Sequence, residues 1–144
     1  MIGIGCDHGG YDLKMEIIAM LEQKGFSYKD FGAYSKDAVD YPDIAKPVAK
    51  ALLAGEIEKG ILICGTGIGI SIAANKIEGI RCALCSDHFS AVATREHNDA
   101  NILALGGRTT GPEVAKEIAF AFLTTEFSHD ERHQRRINKI EDKN

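Results

Sequence analysis

Short apolar runs alternate with stretches of helical period along this chain. Ile2 to Cys6 is an unbroken apolar run of strand length. Leu13, Ile17, Met20 and Leu21 then recur at helical spacing across Tyr11 to Lys24, and Gly25 follows as a stop. From Phe26 to Phe31, Phe26 and Tyr28 alternate with polar neighbours, the pattern of a half-buried strand. Pro42 stands where a first helical turn would begin, and Ile44, Val48 and Leu52 carry that helix to Gly55. Gly60 to Cys64 reads GILIC, a run suited to burial on both faces of a parallel sheet. Beyond the GTGIG turn the pattern predicts a helix from about Ile70 to Lys76, then a strand from Arg81 to Cys85. A helix over Phe89 to Glu96, a strand over Asn101 to Leu105 and a helix after Gly111-Pro112 complete the alternation. The last segment, His129 to Lys143, is charged on most faces, with Ile137 and Ile140 as its apolar contacts.

Five strands, each followed by a helix, predict an α/β fold with a parallel sheet covered on both faces. With 144 residues and no linker or repeat, one domain over 1–144 is expected. At that size folding buries roughly 70% of the unfolded surface, enough for a core without disulfides or metals. The composition, 44% hydrophobic and 26% charged, is that of a globular protein. A net charge of −4 argues against nucleic-acid binding through bulk charge. The start has no basic leader with a long apolar run, so neither signal peptide nor membrane span is expected. Cys6, Cys64, Cys82 and Cys85 read as reduced thiols, which points to the cytoplasm.

Ligands of open α/β sheets bind at the C-terminal ends of strands. Here those ends carry Cys6-Asp7-His8, Cys64-Gly65-Thr66 and Ser86-Asp87-His88. Polar residues end strands routinely, but three such clusters flanked by glycines favour a site. Gly65-Thr66-Gly67-Ile68-Gly69 joins a buried strand to a helix, so its amides can face an anion at the helix's positive end. No Gly-Lys-Ser/Thr follows, which excludes a Walker loop, and Ile70 spoils a dinucleotide fingerprint. An oxyanion cradle is the reading favoured over a merely flexible turn.

Cys64 abuts this loop. A thiol at a helix N-terminus suits a base or nucleophile, while a small buried hydrophobe is the usual fate of a free cysteine; position alone leaves the two even. Cys82 and Cys85, three apart on a strand, point to opposite faces, so a redox or zinc role is not expected. Asp7, His8, Asp87 and His88 lack the spacing of a metal site. His97 near a helix end is either a cap or a general acid/base. Arg132 and Arg136 share one helix face, either solvated or clamping a phosphate or carboxylate. Together these groups suit proton transfer on a small phosphorylated substrate.

Five segments make the chain resemble the type B ribose-5-phosphate isomerases, a family that includes galactose-6-phosphate and allose-6-phosphate isomerases. They are GCDHGG at Gly5 to Gly10, DYP at Asp40 to Pro42, GILICGTGIGISIAANK at Gly60 to Lys76, REHNDANILALGGR at Arg95 to Arg108, and RHQRRI at Arg132 to Ile137. The resemblance implies a Rossmann-like three-layer α/β/α sandwich with a five-stranded parallel sheet and a C-terminal helical tail. It implies homodimers or tetramers with active sites shared between subunits, a sugar phosphate as substrate, and neither metal nor organic cofactor. Cys64 would move the proton between C1 and C2, and His97 would assist ring opening with Thr66 nearby. Gly65, Thr66, Gly67, Ile68 and Gly69 would hold the enediolate oxygen. Asp7 and Asn98 would bind sugar hydroxyls, with Tyr41 also at the substrate, and His8, Arg132 and Arg136 would hold the phosphate.

The expected activity is interconversion of ribose 5-phosphate and ribulose 5-phosphate. The same chemistry on a six-carbon sugar phosphate is the nearest alternative. A non-catalytic sugar-phosphate binder would need Arg132 and Arg136 but not Cys64 or His97. A nucleotide-dependent oxidoreductase is disfavoured by Ile70 and by the short chain. The loop from Ser35 to Tyr41 is expected to contribute to pocket depth.

Overall fold

The computed structural model describes residues 1–142, so Lys143, the last residue of the predicted tail, lies outside it. Its strands are β1 (Ile2–Cys6), β2 (Tyr28–Asp30), β3 (Lys59–Cys64), β4 (Cys82–Leu84) and β5 (Ile102–Gly106). Its helices are α1 (Tyr11–Gln23), α2 (Tyr41–Leu53), α3 (Ile68–Asn75), α4 (His88–Asn98), α5 (Pro112–Thr124) and α6 (Glu131–Glu141). All strand pairs are parallel, in the order β2-β1-β3-β5-β4.

Successive side chains on a strand face opposite ways, and the apolar strands use both directions. Ile61, Ile63, Leu103 and Leu105 pack with α1, α4 and α5. Leu62, Cys64, Ile102 and Ala104 pack with α2 and α3. The result is the expected three-layer sandwich, with α6 laid against α4 through His133 and Ile137. Cys85 joins the first core and Cys82 borders the second, so the two thiols do lie on opposite faces.

Several boundaries differ from the pattern. β2 is confined to Tyr28–Asp30, because it is an edge strand that registers only with Ile2 to Ile4. α3 starts at Ile68 instead of Ile70: Gly67, at φ 78°, turns the chain into the helix, a conformation that costs glycine nothing. A 3-10 turn at His8–Gly10 was not foreshadowed by periodicity; it forms because Asp7 Oδ1 accepts the Gly9 and Gly10 amides at 2.9 and 3.2 Å. α4 runs on to Asn98, so His97 and Asn98 form its last turn, which Asp99 ends at φ 45°.

The order of strands reverses between β1 and β3, since α1 leads outward to β2 and α2 leads back to β3. Such a switch point opens a crevice at the strand C-termini. The loops after β1 and β3 meet in that crevice.

Candidate active site

The β1 and β3 loops touch backbone to backbone. A Cβ on Gly9 would lie 3.1 Å from the Gly65 nitrogen and Cα, tighter than side chains normally pack, so glycine eases this approach. Cys64 ends β3, 4% exposed, with its side chain on the α2–α3 face. The Gly67 amide donates to Cys64 Sγ at 3.1 Å, and the Ile68 amide donates to Thr66 Oγ1 at 3.2 Å. The loop therefore sets one amide, that of Gly67, against the thiol at the N-terminal end of α3, where helix N–H groups can meet an anion. The other cysteines lack this setting. Burial pushes Cys6 and Cys85 up to about 11 and Cys82 to about 12, which leaves them as inert thiols.

Four more side chains stand at this end of the sheet. Tyr41, in the first turn of α2, lays its ring over the start of α3: a Cβ on Gly69 would be 2.6 Å from its Cζ and 2.8 Å from its hydroxyl. His8 accepts the Val39 amide on Nδ1 at 3.3 Å, which ties the segment before α2 to the β1 loop. Asp7, 6% exposed, caps the 3-10 turn through Oδ1. Arg108, absent from the sequence-based site, reaches over Gly65, with Nη1 3.2 Å from where a Cβ would stand. It ends the GGR of the REHNDANILALGGR segment, a basic residue just past a strand end; that position was the available signal.

The remaining candidates stand elsewhere. His97 stacks on His133, ring centroids 4.3 Å apart at 20°. Arg132 Nη2 is 3.4 Å from His133 Nε2. Burial, then the positive charges of His97, Arg132 and Arg136, hold the His133 pKa below its usual 6.5. His97, Asn98, Arg132 and Arg136 are all exposed. α4 returns antiparallel to the strands, so its last turn lies at their N-terminal edge, where Arg81, just ahead of β4, bonds the Asn98 carbonyl. Cys64 pairs with Gly106 at the other end of a β5 that spans about 13 Å. One chain thus carries two separate clusters: the thiol, the amide loop and Asp7, His8, Tyr41 and Arg108 at one end, the histidines and arginines of α4 and α6 at the other.

Among the described residues no three His, Cys, Asp or Glu side chains are placed to hold a metal ion, and no helix is long and apolar enough to cross a membrane.

The ribose/galactose isomerase family model matches residues 2–140. A ribose-5-phosphate isomerase B of Escherichia coli is 50% identical over 139 residues, covering 96% of this chain and 93% of the relative. A D-erythrulose-4-phosphate isomerase of Pectobacterium atrosepticum is 48% identical, covering 88% of this chain and 84% of its own. The solved ribose-5-phosphate isomerase B of Clostridium thermocellum superposes with a TM-score of 0.95 at 52% identity, covering 97% of this chain and 94% of that one.

Proposed function

Because the chain belongs to the ribose/galactose isomerase family, we propose that it interconverts D-ribose 5-phosphate and D-ribulose 5-phosphate through an enediolate. The observation that carries this reading is the Gly67 amide on Cys64 Sγ, inside a loop built to hold negative charge at the switch point of the sheet. Cys64, as thiolate, takes the C2 proton of the open-chain aldose. The electron pair moves into the C1–C2 bond, and O1 takes up the charge among the Gly65–Gly69 amides. The thiol then returns the proton to C1 while the O2 proton passes to O1, which leaves a C1 hydroxyl and the C2 carbonyl of the ketose. No step requires a metal or an organic cofactor.

The substrate enters as a furanose, which His97 opens, with Asn98 and Asp7 on sugar hydroxyls and Tyr41 at the loop. The phosphate takes His8, Arg132, Arg136 and Arg108. These groups are brought together by a homodimer. In an isologous pair with sheets antiparallel, the thiol end of one subunit meets the histidine–arginine end of the other, twice over. Exposed apolar side chains support an interface beside the thiol end. Ile68 and Ile72 on α3, Leu84 on β4 and Phe89 on α4 are 51%, 55%, 43% and 78% exposed, and Leu84 lies against Gly67. The four free cysteines suit a single-domain enzyme of the cytoplasm.

A coupled isomerisation assay tests the reading, with ribose 5-phosphate, allose 6-phosphate and galactose 6-phosphate compared in the presence of EDTA. Ribose 5-phosphate is expected to give the highest kcat/KM. A preference for either hexose phosphate, or dependence on a divalent ion, would contradict it.

A further inference from the structure

We propose that Arg81 is a positioning residue for the second cluster: its guanidinium fixes the turn that presents His97 and Asn98, and thereby governs opening of the sugar ring. The inference rests on the reading of His97 given above.

Arg81 sits just before β4, and its backbone is held on both sides. Its amide donates to Asn101 Oδ1 at 2.8 Å, and its carbonyl accepts the Asn101 amide at 2.9 Å. From this fixed root the side chain, 19% exposed, spends each nitrogen on a different target. Nε donates to the Asn98 carbonyl at 2.9 Å and Nη2 to the Asp99 carbonyl at 2.9 Å. Nη1 reaches Glu141 Oε1, in the last turn of α6, at 2.9 Å.

The two carbonyls belong to the end of α4, where intrahelical partners run out. An arginine supplied from another element therefore caps the turn that carries His97 and Asn98. The third bond ties that turn to α6, the helix of Arg132, His133 and Arg136. A planar fork can serve three acceptors at fixed angles; a lysine ammonium on a flexible stem lacks that geometry. Arg95 holds the same turn from beneath, through Asp99 Oδ1 at 2.8 Å and the Ala100 carbonyl. Arg95 is buried over the Phe122 ring and belongs to the core, whereas Arg81 grips Asn98 and α6 together.

Ring opening breaks the C1–O4 bond: a proton reaches O4 while the O1 hydroxyl gives one up to become the C1 carbonyl. Closing the ring on the product aldose is the reverse. Ribulose 5-phosphate forms no such ring, because its O5 carries the phosphate. It reaches the enediolate without His97.

The experiment starts from ribulose 5-phosphate in D2O and compares two products by NMR: recovered ketose deuterated at C1, and aldose formed. Their ratio does not depend on how much enzyme is active, so general structural damage leaves it unchanged. When ring closure is impaired, the open aldose returns to the enediolate more often and the ratio rises. His97→Asn, Arg81→Met and Arg81→Lys are each expected to raise it by tenfold or more, with the dimer retained. A wild-type ratio in both Arg81 variants, with His97→Asn raised, would overturn the role of Arg81 and leave the reading of His97 standing. A wild-type ratio in His97→Asn would overturn that reading, and with it this inference.

Discussion

The Gly67 amide nitrogen lies 3.1 Å from Cys64 Sγ, so the residue that turns the chain into α3 also donates to the candidate base. Its φ of 78° falls where a side chain strains the backbone, and a Cβ there would sit 2.6 Å from Leu84 Cδ1. Gly67→Ala should cost about 1–3 kcal/mol of stability from that strain. On the proposed reading the loop amides meet charge that develops during reaction, so kcat should fall about tenfold or more while KM changes little. Thermal unfolding and steady-state kinetics on the same preparation check both.

The separation of the two clusters leads, on the proposed reading, to a second expectation. Phe89→Glu together with Leu84→Glu should yield folded monomers without isomerase activity, as read by analytical ultracentrifugation and assay. Arg136→Ala alone should mainly raise KM, since phosphate binding is shared by ground and transition states. Mixed with Cys64→Ala subunits, it should regain activity, because one site of each heterodimer then has both groups intact. Verified heterodimers without activity would contradict shared sites.

Much of this was legible in the sequence. Local signals carried it: β3 as an unbroken apolar run, glycine alternation after it, Pro42 and Pro112 in first helical turns. These are properties of neighbours in sequence, and they place Cys64 and its amide loop together. The opposite-end position of His97 follows from the direction in which α4 crosses back, which no residue pattern states. Lys14 was equally hidden. It occupies a polar-looking position of α1 yet is fully buried, with Nζ on both oxygens of Asp30 at 2.8 and 3.0 Å. Its partner is sixteen residues away, so only the fold reveals why burial of that charge is tolerated. Arg81 and Arg108 escaped for the same reason: their roles depend on loops that meet only in three dimensions.

His133 gives the stability a pH dependence. Burial, then the cationic neighbours of His133, keep its pKa in the folded state below 6.5. Between that lowered value and 6.5 the unfolded chain binds more protons, so stability rises with pH through this window. The contribution is complete above 6.5 and is lost as the pH falls below it. The Tm should therefore drop between about pH 7.5 and about pH 5.5, and His133→Gln should make that drop smaller. An unchanged pH dependence in His133→Gln would show that His133 does not couple folding to protonation.

The central claim is that Cys64 is the base. Cys64→Ala should keep the fold and phosphate binding, since one small buried side chain replaces another. Cys64→Ser should also be poor, because a hydroxyl is a far weaker acid than a thiol. The most direct measurement is solvent deuterium incorporation at C2 of ribose 5-phosphate, followed by NMR with wild-type and Cys64→Ala enzyme. Wild type should exchange that hydrogen readily, and Cys64→Ala should lose the exchange by several orders of magnitude. Exchange in Cys64→Ala at close to the wild-type rate would mean that another residue moves the proton and that Cys64 serves only to fill the end of β3.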